Sequence, residues 1–141
     1  MMSPDAERFV AAARVGRLAT VGEDGVPYLV PICFVLHAGA LWMPLDAKPK
    51  RVPVEQLKRV RNLLERPQVG VLIDHWSEDW SELAYVQIRG LASLVRGGEE
   101  KREAVRLLRE KYFQYRAMPE LDENPTVRIT PVAVRVWGRL A

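Results

Sequence analysis

The feature that most constrains this chain is the alternation near its C-terminus. Over 126–140, Val132, Val134 and Val136 alternate with Ala133, Arg135 and Trp137. A period of two puts one set of side chains on each face of a strand and predicts a half-buried sheet. Similar apolar runs recur upstream at 17–21, 26–36, 40–45, 69–74 and 83–95, separated by turn formers. Glu23-Asp24-Gly25 and His37-Ala38-Gly39 read as tight turns, so the first three runs are expected to form an antiparallel meander. Pro27 and Pro31 cannot donate to a ladder, which places the 26–36 run partly at an edge or at a bulge. The 83–95 run is expected to kink at Gly90.

Helical periods interrupt the strands. Ser3-Pro4 supplies an N-cap and a first-turn proline for a helix with Phe9, Val10 and Ala13 on one face, ended near Gly16. A second helix is expected from Pro53 to the stop at Pro67, with Leu57, Val60, Leu63 and Leu64 on one face. A third is expected over 99–118, after Gly97-Gly98, with Val105, Leu108, Tyr112 and Tyr115 as its stripe. About six antiparallel strands that bury one face, with about three inserted helices, predict a mainly β (α+β) closed barrel. With 141 residues, residues 1–141 are read as one domain.

Charge narrows the functional classes. The net charge is only +3. Within 44–66, however, seven basic residues (Lys48, Lys50, Arg51, Lys58, Arg59, Arg61, Arg66) face three acids (Asp46, Glu55, Glu65). That segment carries +4, and the rest of the chain carries −1. A local excess points to one anionic ligand or partner. A helix start offers free N–H groups, and nearby Lys or Arg adds charge-assisted hydrogen bonds, so phosphate is the natural guest. Asn62 falls three residues after Arg59, on a neighbouring part of the same helical face. A plain solvated basic face remains the alternative on spacing alone.

Other chemistries find less support. His37 and His75 fall at turns or loop edges, and no metal-ligand spacing accompanies them. The segment DHWSEDWSE clusters Asp74, Glu78, Asp79 and Glu82, which reads as a solvated loop rather than a tuned acid/base pair. Trp76, Trp80 and Trp137 need something to pack on: the barrel wall, a partner subunit or a planar ring. Cys33 is the only cysteine. It excludes an internal disulfide, fits a cytoplasmic setting and is expected to be inert core. No run approaches a membrane span, and the N-terminal segment lacks the pattern of a signal peptide. A single-stranded nucleic-acid binder would interleave aromatic and basic residues, whereas here Trp76 and Trp80 sit among acids.

Four stretches in this order and spacing resemble one family: RVGRLATVGEDGVPYLVPICFVL, LWMPLDAKPKR, LKRVRNLLERPQVGVLIDHWSEDWSELAYVQIRG and ITPVAVRVWG. They are similar to the pyridoxamine-phosphate-oxidase-like split barrels, and more closely to the subfamily of coenzyme F420-dependent enzymes, over about residues 8–138. The resemblance implies a six-stranded split barrel and a homodimer with cofactor at the subunit interface. It implies an oxidoreductase that transfers hydride to a small organic substrate. Lys58 and Arg59 match the basic pair that holds the cofactor phosphate. Lys48, Lys50 and Arg51 lie in the subfamily's extended loop, facing the phosphate or an acidic tail. Leu18, Ala19 and Thr20, with Pro44, Leu45 and Asp46, match strands whose backbone runs along the ring system. Tyr85 falls where many relatives carry a polar residue near the ring. The chain lacks the C-terminal Arg/His motif of the true pyridoxamine oxidases, so vitamin B6 oxidation is not expected. The rich basic loop favours coenzyme F420, with its phosphodiester and polyglutamate tail, over FMN. A nonenzymatic haem- or nucleotide-binding barrel is a further alternative. No residue is singled out as a catalytic acid or base.

Overall fold

The computed structural model describes residues 2–45 and 57–140. Helix α1 (Pro4–Ala12) starts at Ser3, whose Oγ accepts the Ala6 N–H at 3.1 Å. It buries Ala6 and Val10. Then follow β1 (Gly16–Val21), β2 (Pro27–Ile32), β3 (Val35–His37), β4 (Ala40–Met43), α2 (Lys58–Glu65), β5 (Gln68–His75) and β6 (Ala84–Val95). The chain closes with α3 (Glu99–Lys111), a short α4 (Glu120–Glu123) and β7 (Thr126–Gly138).

The strands form one sheet in the order β2-β1-β5-β6-β7-β4-β3, antiparallel throughout. It has seven strands, where six were expected, because the 26–36 run is two strands rather than one. β2 pairs with β1 and β3 pairs with β4, so the expected three-strand meander is instead two hairpins on opposite edges of the sheet. Only Cys33 and Phe34 join those edges. A three-residue step spans at most about 11 Å, so the sheet must curl until its two edges nearly meet. The result is a barrel split between β2 and β3. Both prolines of β2 lie on this edge strand, where a missing N–H costs least.

The barrel interior is filled by Leu18, Leu41, Val71, Ile73, Val86, Ile88 and Ile129, with Val60 and Leu63 of α2 closing one end. A second cluster packs α3 against the outside of β3–β4 through Val35, Trp42, Val105, Leu108 and Tyr115. β4 is buried at every position because Leu41 and Met43 face the barrel while Ala40 and Trp42 face α3. Residues that break the expected stripes do so for geometric reasons. Leu64, one residue past the buried Leu63, is rotated out to solvent. The long third helix ends at Lys111, and Phe113–Ala117 continues as a 3-10 turn. His37, expected in an exposed turn, is half-buried at the end of β3, and its carbonyl accepts Trp42 Nε1–H at 3.0 Å. β7 is one long strand, with a register shift opposite Arg89 and Gly90.

Candidate functional site

A cleft of about 470 Å³ opens where the barrel splits. One wall is β2 and the link after it: Tyr28, Val30, Pro31, Ile32 and Cys33. Met43 and Pro44 at the end of β4, Arg59 of α2, Val15 and Tyr115 complete it. An edge strand beside a split can line a cleft because one of its sides has no neighbour. The volume lies in the range of small-molecule and cofactor sites.

Arg59 is the only ionised side chain among the described residues lining this cleft. It sits in the first turn of α2, and its guanidinium makes no hydrogen bond or ion pair with another described residue. The N-cap position, Leu57, offers no side-chain acceptor to the helix's free N–H groups, and the first turn holds no acid. Arg59, in the first turn of a helix without a side-chain cap, thus stands at a cleft lined by aliphatic side chains and two phenols, with mixed polar and apolar surface. Such a donor set suits a flat, largely apolar molecule that ends in phosphate. A flavin or deazaflavin fits this description. Arg59 and the α2 amides would hold its phosphate, and Val30, Ile32, Met43 and Pro44 would flank its ring.

The residues expected to meet the cofactor are distributed unevenly. Arg59 and Pro44 come together on the cleft. Lys58, one residue earlier and so about 100° around the helix, points away and lies 4.0 Å from Asp24 of the β1–β2 turn. Asn62 is buried and donates to Thr20 Oγ1 at 3.1 Å. Asn62 thereby fastens α2 to β1, while Lys58 stays half-exposed at the edge of an ion pair with the β1–β2 turn. Leu18 and Leu45 are core side chains. Ala19 faces outward from β1, whose backbone is paired on both sides. Asp46, Lys48, Lys50 and Arg51 lie outside the described residues.

Sequence reasoning missed β2 and Tyr115. The available signal was the pair of prolines, which marked β2 as an edge. Cys33, read as inert core, is half-buried and lines the cleft. Behind it, the link is held by the end of α3. Tyr112 Oη accepts the Phe34 N–H at 3.1 Å, and Lys111 Nζ donates to the Phe34 carbonyl at 3.0 Å. Burial, then the nearby Arg14 charge, depress Lys111 to about 8, against an opposing pull from Cys33. Burial pushes the Tyr112 phenol up.

The other features expected to matter are elsewhere. Trp76 and Trp80 are exposed on a loop ordered by Ser77–Glu82 and Asp79–Ser81 hydrogen bonds. Trp137 stacks on Tyr85 with centroids 5.7 Å apart. His75 lines a separate hollow with Phe9 and Glu82. No helix among the described residues is long and apolar enough to cross a membrane.

A curled antiparallel sheet with a cleft at its split defines a split-barrel protein. The sequence matches the pyridoxamine 5'-phosphate oxidase family over residues 2–138, and the chain belongs to that family. Solved structures share the fold. A conserved hypothetical protein from Mycobacterium tuberculosis is 24% identical with a TM-score of 0.80, the match covering 98% of this chain and 86% of that one. The heme storage protein HutZ from Vibrio cholerae is 18% identical with a TM-score of 0.75 and 96% coverage of both chains. A protein described as an F420 reductase is 18% identical with a TM-score of 0.68, covering 95% of this chain and 98% of that one. No curated protein matches the sequence significantly.

Proposed function

We propose that this protein is a coenzyme F420-dependent oxidoreductase that passes hydride to a small organic substrate, with FMN as the alternative cofactor of the same cleft. The observation that carries the reading is Arg59, a cation without a partner among the described residues, at a helix start facing a cleft of mixed polar and apolar surface. The cofactor, when bound, supplies the hydride chemistry. The chain's own part is to hold the phosphate through Arg59, to flank the ring with Val30, Ile32, Met43 and Pro44, and to exclude water. The basic residues Lys48, Lys50 and Arg51 favour a cofactor with additional negative charge, which supports F420 over FMN. Neither histidine lines the cleft, which argues against haem held by an imidazole. We also propose a homodimer that covers the outer face of the sheet, where Leu29 and Trp137 are exposed.

Titration with coenzyme F420, FMN and hemin in parallel tests the assignment, followed by deazaflavin fluorescence, flavin fluorescence and Soret absorbance. F420 is expected to bind in the micromolar range, and Arg59→Glu to weaken it by about tenfold or more, the loss of a charge-assisted contact. Hemin binding without F420 or FMN binding would overturn the reading.

A further inference from the structure

The outer face of the sheet carries a second set of unpaired cations. The register β1–β5–β6–β7 aligns Arg17, Leu72, Gln87 and Arg135 in one outward row and Ala19, Gly70, Arg89 and Ala133 in the next. Arg89 is directly opposite Ala133, and Arg135 lies two residues further along β7. Arg89 and Arg135 are therefore diagonal neighbours, about 7–8 Å apart at the backbone. All three arginines are exposed, and none of their guanidiniums makes a hydrogen bond or ion pair with another described residue. Across these rows the nearest outward carboxylate is Asp74, in the row beyond, opposite Tyr85. Like charges this close on a sheet destabilise it unless something opposite in sign sits between them.

The local backbone makes room for such a group. A hollow of about 360 Å³ beside both arginines is lined by Gln87, Arg89, Ala133, Val134 and Arg135. Its floor is the small side chain of Ala133, beside the register shift at Val132 that re-aims β7. Bulges of this kind often accompany binding sites. On the other side of Arg89 the row continues with Gly70. A Cβ there would meet its nearest atoms only at 3.9 and 4.0 Å. Packing does not require a glycine at this paired position, and a bare backbone in mid-sheet marks a place of close approach.

We infer that Arg89, Arg135 and Gln87 form a site over Ala133 for a small polyanion, a phosphate or polycarboxylate gripped between the two guanidiniums. Planar guanidinium forks bind such oxyanions bidentately, and Gln87 adds an amide donor. A second copy docked on this face through the same surface would bring its own unpaired arginines, so such a contact would increase the need for the anion. The site shares no residue with the Arg59 cleft and stands or falls separately from the cofactor reading.

Calorimetric titration with inorganic pyrophosphate and with citrate, at ionic strength fixed with sodium chloride, tests this. The two titrants separate a phosphate from a carboxylate preference. Arg89→Gln/Arg135→Gln is expected to weaken the preferred anion by about tenfold or more. Ala133→Leu, which fills the cavity from an outward position, is expected to weaken it while keeping the thermal midpoint. The same loss is expected when the arginine pair is replaced in an Arg59→Glu background, which removes any phosphate held at the cleft. Unaltered affinity in the double arginine variant, or no binding of either anion beyond the chloride background, would overturn the inference.

Discussion

At the scale of single residues, Lys111 is the most unusual ionisable group described. Its ammonium lies 4.2 Å from the Phe34 ring centroid and beside the Arg14 charge, with the Phe34 carbonyl as its acceptor. Burial, reinforced by Arg14, lowers its pKa from 10.5 to about 8. A base whose folded pKa is depressed penalises the folded state wherever it must stay protonated. Below about pH 8 both states hold the proton and the penalty is complete. Between about 8 and 10.5 the unfolded chain binds more protons than the folded one, so stability rises with pH. The wild type is therefore expected to gain stability relative to Lys111→Met across that window, measured by denaturant unfolding at several pH values. A difference that stays flat from pH 7 to 10.5 would refute it. The environment of Lys111 could not be read from the sequence. Phe34 and Arg14 are remote in the chain, and only the split of the barrel brings them to the end of α3. The same holds for Asn62. Its position on the helix was legible, but its buried partner Thr20 was not, and that partner turns an apparent ligand-facing amide into a fastening.

Among the elements, the long β6–β7 hairpin governs the shape of the sheet. Twelve residues of β6 pair along β7 with one register shift. Gly90 sits at that shift, and a Cβ there would come within 2.8 Å of both Ile129 Cγ2 and the Thr130 carbonyl oxygen. The carbonyl belongs to a paired strand and cannot yield easily. Gly90→Ala is expected to cost about 1–3 kcal/mol, as overpacking does. Gly70→Ala, with ordinary contacts, is expected to be neutral or stabilising by up to about 1 kcal/mol. Urea unfolding of the two variants checks the contrast, and equal effects would contradict it. The kink at Gly90 was visible in the sequence as a glycine inside a strand pattern. That it marks a bulge flanking two arginines was not, because the bulge depends on which residue of β7 lies opposite. For α2, the helix and its stop at Pro67 were legible from periodicity. The separation of Lys58 from Arg59 followed from helical geometry, but which of the two faces the cleft depended on where the helix docks.

For the whole molecule, the exposed outer face sets an expectation about assembly. Leu29 of β2 is 68% exposed and Trp137 of β7 is 51% exposed, four strands apart on this face, and large apolar side chains left in water there suit burial against a second copy. Light scattering at micromolar concentration is expected to give a dimer, and Leu29→Glu with Trp137→Glu to shift it toward monomer. A monomeric wild type would contradict the expectation. The family, the mainly β class and most element positions were written in the sequence, because alternation, helical stripes and Pro/Gly punctuation are local properties. The basic segment was likewise a matter of counting charges. The tertiary structure alone decided that the second apolar run divides at Cys33-Phe34 and sends its halves to opposite edges of the sheet. Pairing partners are long-range choices set by the curl that buries the interior, and no short window encodes them. That one division creates the split, exposes β2 to the cleft and brings Pro44 and Arg59 together. The β6–β7 register, another long-range choice, makes Arg89 and Arg135 diagonal neighbours on the outside of the barrel.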